Sequence, residues 1–420
     1  MRKYIYIGVL LFLGLLVCVL YNDSYISNKA NNTKTSTKVD EDFTINLIKK
    51  SKNDSNYLIS PYSIEMALNL LKEGANGNTL KEINKVVPDR KINDVSVKGR
   101  VNVANALFIK DKYRSKIKDE FKNNLVKEYN SDILYDKFKT PDVINNWVNK
   151  QTDGMIERLL DDIDPDFVFG LANALAIDVE WQSPFDCSLT RSEEFKKADG
   201  SKINVEMMHN TYKNKDFKYL ESDDAKGIIL PYVSYDKETG KIDYDKESNL
   251  EFVGILPNQD VNTYIDNLTS EKLNKLIDSA KGASASYEIR LSLPRFKYEY
   301  SVDNFKNLLI NMGIKDAFDP NKADFTNAMA KKDMDDNLYV STAKHKTFIN
   351  LNEKGTKAAA VTYFGVDSAT ALPDEHEIVE IKFNKPFVYL IRDSKTKEVL
   401  FFGAVFEPNL WEKTTCSFIQ

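Results

Sequence analysis

Three cysteines in 420 residues cannot build a disulfide scaffold; with Cys18 inside the N-terminal apolar stretch, only Cys187 and Cys416 remain for at most one internal bridge. Glycine (16 of 420) and proline (12 of 420) fall below their usual ~7% and ~5%, which excludes collagen-like and Pro/Gly low-complexity chains. Basic excess is also missing. The 58 Lys and Arg face 63 Asp and Glu, for a formal net charge of -5, so nucleic acid is not expected as a partner. Histidine is scarce, at three residues. His209, His345 and His376 are scattered, and no cysteine pair has zinc-ligand spacing, so no metal and no cofactor are expected. His376-Glu377 begins like a zinc-protease motif, but residue 380 is Glu rather than His. There is no G-x-S-x-G and no phosphate-binding Gly-rich loop. His209 and His376 read as surface polar residues, and a nucleophile triad around His345 is a minor reading.

What is present begins with an uncharged apolar run, Tyr4 to Tyr21, preceded by Arg2 and Lys3. A secretory core is usually about 7–15 residues and a spanning helix about 17–25, so this run reads as an uncleaved signal-anchor ahead of a cleaved signal peptide. Leu15-Leu16-Val17-Cys18 only hints at a lipoprotein box. Positive charges before the run keep the N-terminus cytoplasmic, so the body is expected outside the cytoplasm, anchored at the cell surface or secreted. The only expected membrane contact is this segment (1–21). A polar tether follows over 22–40.

Hydrophobic residues make up 42% of the chain and charged residues 29%, enough for a large core. Length alone suggests two or three domains of about 150 residues, yet no linker or repeat interrupts the chain after Asp40. One α+β domain is therefore expected over 41–410, with a short tail over 411–420. Ser60-Pro61 opens an amphipathic helix closed by Gly74, and Val143 to Ile156 carries a second around Trp147. Strands are expected at Val101–Ile109, Leu171–Val179, Gly227–Leu230, Phe252–Leu256, Tyr287–Leu293, Phe387–Arg392 and Val399–Phe406. The charged, Tyr-rich segment Ser234 to Asn249 reads as a hairpin tip.

One stretch has an unusual composition. Glu353-Lys354-Gly355-Thr356-Lys357-Ala358-Ala359-Ala360-Val361-Thr362 is small and nearly featureless. Alanine alone favours a helix. At period 2, however, Thr356, Ala358, Ala360 and Thr362 share one small face that could slide between two existing strands, with Gly355 as a pivot.

The stretch resembles the hinge of the serpin family, the strain-driven serine-protease inhibitors. Other motifs agree in order along the chain: Leu58-Ile59-Ser60-Pro61-Tyr62-Ser63-Ile64, Asn105-Ala106-Leu107-Phe108, Asn146-Trp147-Val148, Asn173-Ala174 and Trp181. Leu230-Pro231-Tyr232, Leu293-Pro294-Arg295-Phe296, Phe383-Asn384-Lys385-Pro386-Phe387 and Phe402-Gly403 complete the set. Each is weak alone; their order is specific. The resemblance implies three β-sheets with about nine helices and an exposed reactive loop whose hinge enters a metastable sheet A. It implies no catalytic residue of the chain's own. It also implies a shutter around His345, near Ser60, Ser63 and Asn173, and a hinge-base pair between Glu353 and Arg295. Trp181 belongs to the same set of sheet-holding residues.

Counting from Glu353 places the reactive bond at Ala369–Thr370, with Ser368 and Leu372 as fallbacks. Counting back from Pro386 lands near Glu375, so extra loop length is placed after the bond. No Lys or Arg occurs from Ala358 to Ile381, which leaves a trypsin-like acidic pocket nothing to bind. The expected partner is a serine protease of subtilisin- or elastase-like specificity, a cysteine protease being a further option, and the inhibitor is expected as a monomer. The alternatives are a non-inhibitory relative acting as a binding or chaperone-like module, and an anchored enzyme. Asn/Lys/Ile-rich usage points to a bacterium with an AT-rich genome.

Overall fold

The computed structural model describes residues 43–408, apart from 90–91, 93, 166, 285–286, 303, 334–336 and 357–376. Residues 43–51 form a helix, α1. Ser60 then caps α2 (Pro61–Gly74): its hydroxyl accepts the Ser63 amide, and Pro61 sits where a missing N–H does no harm. Ile64, Leu68 and Leu71 recur at helical spacing and are buried. The helix around Trp147, α5 (Asp142–Gln151), stops earlier than the expected Ile156. Asp153 and Gly154 take positive φ there, turning the chain out of the helix. The remaining helices are α3 (Gly77–Val86), α4 (Asp119–Tyr129), α6 (Val261–Asp266), α7 (Ser270–Asp278) and α8 (Phe305–Met312).

The expected strands form, within a residue or two of their ends. A seven-stranded sheet runs β1 (Tyr57–Ile59), β18 (Val399–Val405), β17 (Phe387–Asp393), β10 (Leu250–Pro257), β9 (Ala225–Pro231), β8 (Lys218–Glu221), β11 (Lys281–Gly282). Strands β10, β17 and β18 are nearly all apolar and buried, as strands covered on both faces must be. Gly403 is required here: a Cβ would lie 2.4 Å from the Tyr389 ring across the β17–β18 pair. Residues 234–249 link β9 to β10, and Tyr235 bridges Ile242 within them, as a hairpin tip.

A four-stranded sheet runs β16 (Glu377–Lys382), β12 (Tyr287–Pro294), β7 (Lys202–Tyr212), β6 (Arg191–Lys196). The remaining strands make two ladders rather than one. These are β3 (Ser131–Asp136), β2 (Val101–Lys110), β4 (Phe169–Ile177), and β13 (Phe296–Ser301), β14 (Lys346–Asn352), β15 (Gly355–Thr356), β5 (Val179–Glu180). Only Asp178 separates β4 from β5, so the two ladders are halves of one sheet that parts below β15.

Three sheets and about nine helices were expected. The described residues show four hydrogen-bonded sheets, because the central sheet is split, and eight α-helices including α1. α5 lies over the first half, with Ile144, Trp147 and Val148 packed among Ala106, Phe108, Ala172 and Ala174.

Candidate functional site

The site is the split itself. Gly355 and Thr356 follow β14 through a two-residue turn and pair with both walls: Thr356 opposite Leu351 and Val179, Gly355 opposite Asn352 and Glu180. The first two strand-forming hinge residues are therefore already seated at the top of the split. Gly355 has to be glycine, because a Cβ would come within 2.0 Å of the Val179 carbonyl oxygen. Thr356 is 2% exposed, and its hydroxyl lies 2.7 Å from the Tyr232 hydroxyl. Burial pushes the Tyr232 hydroxyl pKa far up, so it stays protonated. Trp181 stacks on Tyr232 at 4.6 Å and donates its indole N–H to the Asn352 carbonyl. Gly355 and Thr356 form a strand because two flanking strands offer their backbone groups partners. Hinge residues Ala358, Ala359, Ala360 and Thr362 and reactive-bond residues Ser368, Ala369, Thr370 and Leu372 lie outside the described residues.

At the base of the hinge, Glu353 and Arg295 form the expected pair. Arg295 Nε donates to both Glu353 carboxylate oxygens at 2.6 and 2.8 Å, its Nη2 also meets Oε1, and both residues are buried. Thr190 Oγ1 donates to the same carboxylate at 2.5 Å, and Arg295 Nη2 points at Cys187 Sγ at 3.8 Å. The Trp181 and Phe185 amides donate to the Lys354 and Glu353 carbonyls, each at 2.8 Å. A strap over residues 181–190 thus holds the hinge base from outside.

Lower down, the shutter residues gather as a relay. The Ser60 amide donates to His345 Nε2 at 3.1 Å, and the Ser63 hydroxyl donates to Asn173 Oδ1. Asn173 in turn donates to Asn105 Oδ1 at 2.6 Å, and Asn105 to the Tyr129 carbonyl at 2.9 Å. His345 is 6% exposed, and burial lowers its pKa from 6.5 to about 4. Its Nε2 is taken up by a backbone N–H, so the ring is held neutral as an acceptor and is not placed as a base for a nucleophile. Between β4 and residues 340–345 lies an open cleft of ≈ 640 Å³, mouth included, lined by Ser63, Ala172, Asn173, Phe305, Val340 and His345. Among the described residues β4 makes a ladder with β2 only, which leaves its other edge facing this cleft.

The sequence grouped Trp181 and Arg295 with the His345 shutter. The structure separates them, because β14 carries His345 just before one end and Glu353 just after the other, about 25 Å apart at strand rise. His209 is also corrected. It is largely buried, with Nε2 3.1 Å from Glu193 and Nδ1 3.1 Å from the Ser292 hydroxyl, and Lys382 reaches the other Glu193 oxygen at 2.6 Å. Cross-strand register in the β16–β12–β7–β6 sheet makes this row, and single-residue reading had no access to it. Residue 376 lies outside the described residues. Tyr232 and Thr190 had no assigned role in the sequence reading, Tyr232 being marked only by the Leu230-Pro231-Tyr232 motif, and Cys187 was singled out only as a candidate for a bridge.

His345 predicts an acid response. Its folded pKa lies below its unfolded one, so its neutral form contributes stability that is present above about pH 6.5 and lost as pH falls toward 4. Full protonation removes on the order of 3 kcal/mol. Opening of the uncleaved sheet, read as loss of native monomer on mild heating, is expected to accelerate between pH 6.5 and 4.5. His345→Gln is expected to flatten that acceleration; an unchanged pH profile in this variant contradicts the assignment.

The described residues thus show a sheet split down its middle, with Gly355 and Thr356 seated at the top of the split and side-chain ties at its base and midpoint. Comparison with known proteins gives the chain a family. The sequence profile of "Serpin (serine protease inhibitor)" matches residues 38–408, and the chain belongs to the serpin family. An uncharacterized serpin-like protein of Methanosarcina acetivorans is 29% identical over 391 residues, covering 87% of this chain and 84% of its own. The leukocyte elastase inhibitor of Xenopus tropicalis is 28% identical over 393 residues, covering 87% of this chain and 97% of its own. The crystal structure of a thermophilic serpin, tengpin, in its native state superposes with a TM-score of 0.72 at 32% identity, over 88% of this chain and 93% of that one. Thyroxine-binding globulin in complex with thyroxine superposes at 0.71 and 25% identity, over 90% and 100%.

Proposed function

We propose that the chain is a suicide-substrate inhibitor of serine proteases. The observation that carries the reading is Thr356, an uncharged hinge residue already paired between β5 and β14 above an open cleft. A target protease attacks the Ala369 carbonyl with its own serine hydroxyl. The Ala369–Thr370 peptide bond breaks, Thr370 leaves as a new amine, and Ala369 is held as an ester. The freed hinge then extends from Thr356 down the cleft as a strand, fills the unpaired edge of β4, and carries the acylated protease with it. Distortion of the protease oxyanion hole leaves the ester unhydrolysed. This chain contributes no catalytic group; it contributes the loop, the cleft and the free energy of insertion. The likeness to an elastase inhibitor agrees with this reading, and the absence of Lys and Arg from Ala358 to Ile381 sets the specificity.

The inhibitor acts outside the cytoplasm, anchored or released through the segment before residue 22, as a monomer. The test is a protease panel read by denaturant-stable complexes and mass spectrometry of the cut loop. Subtilisin- and elastase-like enzymes are expected to be trapped, trypsin-like ones not, with a new N-terminus at Thr370. A cut outside Ser368 to Leu372 overturns the register, and tight trapping of trypsin overturns the specificity. Cleavage with no trapped complex for any protease leaves a non-inhibitory binding role, the kind the thyroxine complex of a relative exemplifies.

A further inference from the structure

The cleft beside β4 opens toward both faces of the split sheet. Along β4, Asn173 meets Ser63 of α2 while Ala172 and Ala174 pack with α5, so the two helices lie on opposite faces. On the α2 face, the ≈ 640 Å³ cleft runs in beside Leu68 and Leu71 of α2 and Phe305 and Leu309 of α8. On the α5 face, a second open pocket of ≈ 350 Å³ is lined by Phe108, Ile144 and Phe167. Leu159, Ala172, Thr342 and Lys344 line both, so the two are lobes that meet at the unpaired edge of β4. Ser63 and Asn173 on the wall already bond to each other, and His345 to Ser60, which leaves leucine and phenylalanine side chains as the larger surface for a ligand. Lys344 stands exposed where the lobes meet, and it makes no ion pair among the described residues.

We propose that this two-lobed cleft binds a linear alkyl carboxylate, a fatty-acid-like chain with its head at Lys344, and that the bound chain keeps the hinge out of the split. Both lobes have the size of small-molecule sites. Apolar lobes on opposite faces of a sheet suit a slim, flexible chain, whereas a rigid multi-ring molecule fits one lobe only. A single exposed ammonium answers a single negative charge, and at the mouth the carboxylate keeps its water, so ionisation carries no burial cost. Chain burial supplies the affinity, because each methylene taken out of water strengthens binding about fourfold. The bound chain lies along the edge of β4 that an inserted strand needs, so the two exclude each other. That last consequence rests on the inhibitor reading; the binding itself does not.

The experiment titrates the full, uncleaved chain with hexanoate, octanoate and decanoate, below their micelle concentrations, by isothermal calorimetry. One molecule is expected to bind per chain, with affinity rising about tenfold for each two-carbon step. Lys344→Ala, at an exposed side chain, is expected to weaken octanoate about fivefold and to leave octanol unchanged. Ala67→Phe, which adds a ring to the α2 wall of the cleft, is expected to weaken both about tenfold. Saturating decanoate is expected to slow heat-driven loss of native wild-type monomer about threefold or more. No saturable binding, affinity independent of chain length, or binding that both substitutions leave unchanged overturns the site. Binding that leaves monomer loss as fast as before overturns the block on the hinge. A chain that binds decanoate as stated but traps no protease upholds the site and fails the inhibitor reading alone.

Discussion

Thr356→Arg is expected to turn the inhibitor into a plain substrate. The wild-type threonine is buried and shares a 2.7 Å hydrogen bond with the hydroxyl of Tyr232, on which Trp181 stacks. No carboxylate lies in that contact, so an arginine there would bury an unpaired charge at a cost of several kcal/mol. The hinge then cannot enter from the top, where insertion starts. Loop cleavage needs only an exposed bond, so it is expected to proceed at a near wild-type rate. Reaction with a trapped protease, resolved by denaturing electrophoresis, is expected to show cleaved inhibitor replacing at least nine-tenths of the complex, a partition shift on the order of 1.4 kcal/mol or more. Full trapping by this variant contradicts insertion through Thr356.

Glu353→Ala is expected to have the largest effect on the uncleaved protein. It removes the acceptor for two hydrogen bonds donated by Arg295 Nε, one contact from Arg295 Nη2 and one hydrogen bond from Thr190, and leaves the Arg295 guanidinium buried without its carboxylate. Breaking a buried pair on one side costs about 3–5 kcal/mol. The loss falls on the native state, in which the hinge base is held, so the native form is expected to convert to inserted or polymeric forms under mild heating. Size-exclusion chromatography before and after heating reads the result. Unchanged monomer, with Arg295→Ala equally inert, contradicts a gate at this pair. An Arg295→Lys variant separates charge from geometry, since Lys keeps the charge but cannot present the same forked donors.

The fold was largely legible because its strongest signals are local. Ser60-Pro61 writes a helix start, and the alternation or continuity of apolar residues writes the strands from Val101 to Val405. The ordered motifs then supplied connectivity, and with it the Arg295–Glu353 pair, which no spacing rule reaches across 58 residues. What stayed hidden depends on register between distant strands. Tyr232 meets Thr356 across 124 residues, and the Glu193–His209–Ser292–Lys382 row exists only because four strands align. The split was hidden for a different reason. A sequence of strand-forming residues states that a sheet exists; whether two of its strands touch depends on what is left out between them.

The central claim is that this gap is a vacancy for the chain's own hinge. The most direct test is the thermal unfolding of the full chain before and after a single cut in the loop, with all fragments retained. A filled gap adds a strand paired on both sides, so the cut protein is expected to unfold tens of degrees above the intact one, and cut Thr356→Arg is expected to gain little. A cut wild-type protein that unfolds at or below the temperature of the intact one would contradict the account.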